Sequence, residues 1–141
     1  MSESIRKQTS CYCLKMRRAG SDLTRFYDKQ LEPSGVTVSQ YSLLLNISLA
    51  EQGTIKELAD MAELDRSTLA RNIKPLFKKN LVYDAKEDGA RNSKIALTAE
   101  GEKALEQAKL LWSNAQRLVQ EKLGEIGITE LEKVLKTLET L

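Results

Sequence analysis

The densest chemistry in the chain lies in residues 64–79, "LDRSTLARNIKPLFKK". From residue 66 to 79 there is no acidic side chain. Ser67, Arg71, Lys74 and Lys78 recur at spacings of four, three and four, which places them on one face of a helix. Thr68 flanks that face, and Arg66 and Asn72 sit at its edges. Leu69, Ile73, Leu76 and Phe77 fall on the other side, where a core is expected. The polar types suit nucleic acid: arginine forks onto guanine, asparagine pairs with adenine, and serine or threonine serves either base edges or phosphate. The plain alternative is a solvated basic helix, although helices selected only for solubility mix Glu with Lys. Pro75 follows the residues that would read bases. An interior proline lacks the N–H of its helix bond and costs roughly 3 kcal/mol. It either bends the helix around the core or tilts the end carrying Lys78 and Lys79 relative to a groove.

A second cluster, Lys86, Arg91, Asn92 and Lys94, surrounds Asp88–Gly89. "LVYDA" (81–85) and "SKIAL" (93–97) flank it as short strand candidates, so the segment is expected to be a β-hairpin with a basic tip. An arginine on such a tip can enter a minor groove, and Asp88 is expected to hold Arg91 extended. A solvated turn is the alternative. Residues 66–94 sum to +5 in a chain of net charge +2.

The third cluster is "CYC", Cys11 and Cys13. Two residues apart on a helix, they point to different sides, so a bond between them is awkward. Arg17 or Arg18 would favour a thiolate; a small hydrophobe at an interface is the alternative. The chain has no histidine, so zinc sets and histidine-based triads lack their residues. With no phosphate-binding glycine loop either, an enzyme is not expected, nor a cofactor.

These clusters need elements to hold them. With 141 residues, 41% hydrophobic and 30% charged, the chain has the size and composition of one folded domain. It lacks the apolar run of about 18 residues that a membrane helix needs. "MSESIRKQTS" lacks a signal peptide's apolar core, so a cytoplasmic location with reduced thiols is expected. A first helix is expected over 8–31, stopped by "EPSG". Thr37 and Gln40 have capping-box spacing, with Val36 and Tyr41 as a hydrophobic staple, opening a helix to about residue 51. Thr54 and Glu57 repeat the device for a short helix through Ala62. After a tight turn at 63–65, Asp65 is the natural N-cap of the basic helix. Two short helices across such a turn form a helix-turn-helix. Beyond the hairpin, Thr98 caps a helix to about residue 123, broken by Gly124 and Gly127. Thr129 and Glu132 are a third capping box for a last helix striped by Leu131, Val134, Leu135, Leu138 and Leu141.

The expected fold is mainly α with a small β-hairpin. A winged helix-turn-helix over 36–98 is flanked by long dimerisation helices, at 1–35 and 99–141. The last stripe must be buried within one chain or across a two-fold axis.

With these residues in place, the chain resembles the MarR family of bacterial transcriptional regulators. The resemblance is carried by "CLKMRRAGSDLTRFYDKQLEPSGVTVSQYSLL" (13–44), "TIKELADMAELDRSTLARNIKPLFKKNLV" (54–82) and "SKIALTAEGEKAL" (93–105). Asp65-Arg66-Ser67 and the join from Leu97-Thr98 to Gly101 are its most specific parts. It implies a homodimer whose terminal helices pair and whose two winged domains read a near-palindrome in double-stranded DNA, with ligand binding or oxidation releasing it. It implies that Ser67, Thr68, Arg71 and Asn72 face bases or phosphate, and that Arg91 is the wing arginine. The family often has aspartate two residues before that arginine; here Gly89 stands there and the acid is Asp88. Cys13 is similar in position to the reactive cysteine of the organic-peroxide-sensing, OhrR-like branch. Tyr27 matches a tyrosine that hydrogen-bonds the cysteine there, whereas Arg17 and Val38 replace two others. The expected partners are therefore double-stranded DNA, a second copy, and peroxide or a small anionic aromatic ligand. The expected role is a repressor, with a protein-interaction module as the alternative.

Overall fold

The computed structural model describes residues 10–141. Its elements are α1 (Tyr12–Leu31), a 3-10 turn (Glu32–Ser34), α2 (Val38–Ala50), β1 (Gly53–Thr54), α3 (Ile55–Ala62), α4 (Arg66–Lys78), β2 (Val82–Asp84), β3 (Lys94–Leu97) and α5 (Ala99–Leu138). The expected first two residues of α1, 8 and 9, lie outside the described residues.

Side-chain caps start four of the five helices. The Thr37 hydroxyl accepts from Gln40 N–H while Gln40 Oε1 accepts from Thr37 N–H, a complete capping box. Thr54 accepts from Glu57 N–H, Asp65 from Thr68 N–H, and Thr98 from Gly101 N–H. Between α3 and α4, Glu63 takes a left-handed φ of 55°, and Leu64 N–H returns to Ala59 O at 2.9 Å. That closes α3 and sets up the turn of the helix-turn-helix.

The hairpin gains a strand that sequence did not suggest. β3 is central in a three-stranded antiparallel sheet, order β1-β3-β2, with Gly53 opposite Ile95 and Tyr83 opposite Ala96. Leu31, Leu44, Ile47, Leu58, Leu69, Leu76 and Ile95 are fully buried, and Leu105 and Ala108 of α5 join the same core. Tyr41 stacks on Trp112 of α5 with ring centroids 6.0 Å apart. The winged region and the first turns of α5 are thus one packed body.

Two expectations about the C-terminal part change. Gly124 does break the helix, with φ 74° and ψ 170°, but Gly127 lies inside the helix that follows. Thr129 is no cap: its hydroxyl donates to Glu125 O, the i−4 bond of a residue already within a helix. The buried residues of α5 all lie between Gly101 and Ala115. Leu135, Leu138 and Val134 are therefore exposed, as is Ile126 at 82%.

Candidate nucleic-acid interface

α4 presents the expected face. Leu69, Ile73 and Leu76 anchor it to the core, whereas Arg66, Ser67, Arg71, Asn72, Lys74 and Lys78 are exposed and Thr68 is half-buried. Phe77 departs from expectation: it is 40% exposed. At about 100° per residue it falls at the edge of the stripe set by Leu69, Ile73 and Leu76. Arg66, Lys74, Lys78 and Arg91 form no ion pair with another described residue, so their charge is available to an outside anion.

At the front of α4, Asp65 gathers more than a cap. Its Oδ1 accepts from Ser67 Oγ at 2.6 Å and from Thr68 N–H at 2.7 Å, and its Oδ2 accepts from Thr68 Oγ1 at 2.9 Å. Thr68 Oγ1 in turn accepts from Arg71 Nη2 at 3.2 Å. The Ser67 hydroxyl, then the Thr68 N–H and hydroxyl, lower the Asp65 carboxyl to about 2. Asp65, Ser67, Thr68 and Arg71 therefore form one ordered chain of contacts on the leading turn. Sequence pointed to the cap but not to the two hydroxyl bonds, because hydroxyl rotors follow local geometry that spacing does not reveal.

At the far end, Lys79 is used internally. Its Nζ donates to Gly35 O at 2.8 Å and to Gln40 Oε1 at 3.0 Å, tying the end of α4 to the capping box of α2. Pro75 lies between these two ends, inside a helix that continues through it. It is half-buried and, with Gln40, Leu43, Asn46, Arg71 and Asn72, lines a groove of about 690 Å³ between α2 and α4.

The wing tip carries Lys86, Arg91, Asn92 and Lys94, all exposed. Gly89 takes φ 84°, and Ala90 N–H closes a turn onto Glu87 O, as the Asp88–Gly89 signal suggested. Asp88 does not pair with Arg91. The organising acid is Asp84, whose Oδ1 accepts from Lys86 N–H at 3.0 Å and Lys94 N–H at 3.1 Å across the hairpin. The Ser93 hydroxyl and then those backbone bonds hold the Asp84 carboxyl below its usual range. A signal for it existed in the sequence, since aspartate at a strand end commonly bonds the N–H two residues on.

The residues of the first helix are not brought together. Cys11, Cys13 and Arg17 are exposed, with Arg17 one turn after Cys13. Tyr27 is buried; its hydroxyl donates to Gln116 Oε1 of α5, and burial raises its pKa. Tyr27 lies fourteen positions after Cys13, about 21 Å along a helix. Contact between them requires a second chain.

No helix among the described residues is long and apolar enough to cross a membrane, and none of their acidic or cysteine side chains cluster as a metal site.

Against known proteins, the MarR family model matches residues 36–89, the span from the start of α2 to the wing tip. YhbI of Bacillus subtilis, an HTH-type transcriptional regulator, is 30% identical over 113 residues, covering 79% of this chain and 73% of that protein. SarZ of Staphylococcus epidermidis, also an HTH-type transcriptional regulator, is 32% identical over 90 residues; the match spans 63% of this chain and 61% of SarZ. Among solved structures, the transcriptional regulator MosR of M. tuberculosis is 33% identical with a TM-score of 0.73, covering 94% of this chain and 98% of MosR. MosR in complex with DNA gives 35% identity and a TM-score of 0.71, covering 91% and 98% of the two chains. The likeness thus runs outward from the helix-turn-helix, through the wing, into both long helices, and on that extent the chain belongs to the MarR family.

Proposed function

We propose that the protein is a homodimeric, sequence-specific DNA-binding transcriptional repressor acting in the cytoplasm. The supporting observation is the acid-free basic face of α4, whose Arg66, Lys74 and Lys78 form no ion pair with another described residue, together with a wing tip whose Arg91 likewise forms none. A helix of this kind enters the major groove with its N-terminal residues nearest the bases. Arg71 and Asn72 supply sequence choice, Lys74 and Lys78 contact phosphate, and Arg91 reaches the adjacent minor groove. The alternative, a protein-interaction module, gives no reason for this charge pattern. Binding to duplex DNA should weaken steeply as salt rises from about 50 to 200 mM, by about 10³-fold or more if six or more phosphates are neutralised. Affinity independent of salt would reject the proposal.

The C-terminal helix supports a second chain in this reading. Beyond Gly124, α5 buries no side chain of its own chain, yet it exposes Ile126, Val134, Leu135 and Leu138. Covering what is left exposed contributes about 1 kcal/mol each for Val134, Leu135 and Leu138 and about 2 kcal/mol for Ile126, and the matching helix of a second copy offers the same stripe. Leu135→Glu should convert dimer to monomer in light scattering; an unchanged mass would refute this interface.

Release belongs to α1. Cys13 is exposed, with Arg17 one turn on, and a cysteine attacks peroxide as its thiolate. Peroxide converts that thiolate to a sulfenic acid, with reduction of the peroxide. Mild peroxide should weaken DNA binding by wild type and spare Cys13→Ser; equal loss in both would remove the redox role. A small anionic aromatic ligand in the cleft between the dimerisation helices and the winged domain is the alternative effector; the groove between α2 and α4, with Arg71 as its charged lining residue, is a second place for it. Release by a phenolic acid in both proteins would support it.

A further inference from the structure

The two hydroxyls on the leading turn of α4 are not equivalent to free hydroxyls. A serine or threonine hydroxyl has one proton and two lone pairs. A carboxylate has no proton to give, so in each bond with Asp65 the hydroxyl must be the donor. Ser67 commits its proton to Oδ1 at 2.6 Å, and Thr68 commits its proton to Oδ2 at 2.9 Å. Thr68 has also given a lone pair to Arg71 Nη2. Ser67 is exposed and keeps both lone pairs, with no proton to offer.

Bonds to a carboxylate are roughly twice as strong as those between neutral groups. Turning the Ser67 proton toward a neutral base acceptor would exchange a strong bond for a weak one. Phosphate oxygens, guanine N7 and O6, and thymine O4 are all acceptors. The major-groove donors are the exocyclic amino groups of adenine and cytosine. Resting on the DNA-reading role proposed above, we infer that Asp65 makes Ser67 an obligate acceptor, so that Ser67 selects an adenine or cytosine amino group. Thr68 is then a strut that aims Arg71. Asp65 is a positioning residue, and Ser67 is the reader.

Every base pair carries one amino and one carbonyl group in the major groove, so base preference alone does not separate the two directions of bonding. Single-group deletions do. The full-length protein is first used to select an operator from random duplex DNA. Duplexes are then made in which single bases lack the amino group (purine for adenine, 2-pyrimidinone for cytosine) or the carbonyl (2-aminopurine for guanine, 5-methyl-2-pyrimidinone for thymine). Affinities are measured with wild type, Ser67→Ala and Asp65→Asn, with thermal melts as the fold control. Effects of an analogue on the duplex itself cancel in the resulting cycle.

In each half-site, deleting one amino group should weaken wild type about fivefold, the size of one hydrogen bond, and Ser67→Ala not at all. Asparagine caps a helix as well as aspartate, but its single carbonyl oxygen cannot hold all three donors. Asp65→Asn should therefore fold, free the Ser67 proton and shrink the amino-group effect. Coupling of Ser67 to a carbonyl, coupling to no base group, or an undiminished amino-group effect in Asp65→Asn would each overturn the inference. Wild type selecting no operator would be a different failure, that of the DNA-reading role itself.

Discussion

Gly101 lies in the first turn of α5, where α5 leaves the sheet. A Cβ built there would lie 2.0 Å from Leu81 O and 3.0 Å from Leu81 C. Both are backbone atoms, so no rotamer change relieves the contact. Leu81 O accepts from Thr98 N–H at 3.0 Å, and Thr98 Oγ1 donates to Asn80 O at 2.7 Å. An ordinary contact requires α5 and the segment before β2 to separate by more than an ångström, which breaks at least the first of these bonds. Overpacking costs about 1–3 kcal/mol, and each lost hydrogen bond about 0.5–1.5 kcal/mol. Against this, Gly→Ala inside a helix gains about 1 kcal/mol by propensity. Gly101→Ala should therefore lose about 2 kcal/mol, lowering the melting temperature by roughly 5–10 °C for a chain of this size. Thermal denaturation followed by circular dichroism checks it, at one fixed concentration because dimer stability depends on concentration. A variant as stable as wild type, or more stable, would show that helix propensity decides and that the Gly101–Leu81 contact does not hold α5 in place.

Two further outcomes follow from α4. Asp65 has its carboxyl lowered from 3.8 to about 2 by the Ser67 hydroxyl and the Thr68 N–H. A depressed folded-state value means that its stabilisation is present above pH 3.8 and is lost as pH falls toward 2. The wild-type melting temperature should accordingly fall more steeply than that of Asp65→Asn between about pH 4 and pH 2; parallel curves would exclude this group. Pro75 cannot donate to the Arg71 carbonyl, so Pro75→Ala restores a helix bond. It should raise stability by about 1–2 kcal/mol, less than the usual 3, because proline also restricts the unfolded chain. A drop in melting temperature would show instead that ring packing against α2 dominates.

What was legible in the sequence is local. Thr37 with Gln40, Thr54, Asp65 and Thr98 each act within three residues of their partners, so spacing alone located the helix starts. The basic face of α4 was legible for the same reason: helical period sorts polar from apolar whatever the partner. Contacts fixed by distant chain were not. β1 has two residues and no period of its own, and it exists because Gly53 and Thr54 lie against β3. Lys79 was legible only as a cation at the end of the basic helix, because its partners Gly35 and Gln40 are brought to it by the fold. Thr129 failed differently, since the same residue type and spacing serve a cap and an i−4 bond inside a helix. The left-handed φ of Gly124, not the Thr129 hydroxyl, decides where that helix restarts.

The most direct test of the recognition role of α4 is the affinity of Arg71→Ala for an operator selected by wild type, at one fixed salt concentration. Arg71 is exposed, and among the described residues its side chain bonds only Thr68 Oγ1, so the variant should fold normally. Loss of an arginine–base contact is worth about 1–3 kcal/mol, so specific binding should weaken about 5- to 150-fold while binding to unrelated duplex changes little. Equal weakening on operator and unrelated DNA would make Arg71 a phosphate contact, and unchanged operator affinity would contradict recognition by this helix altogether.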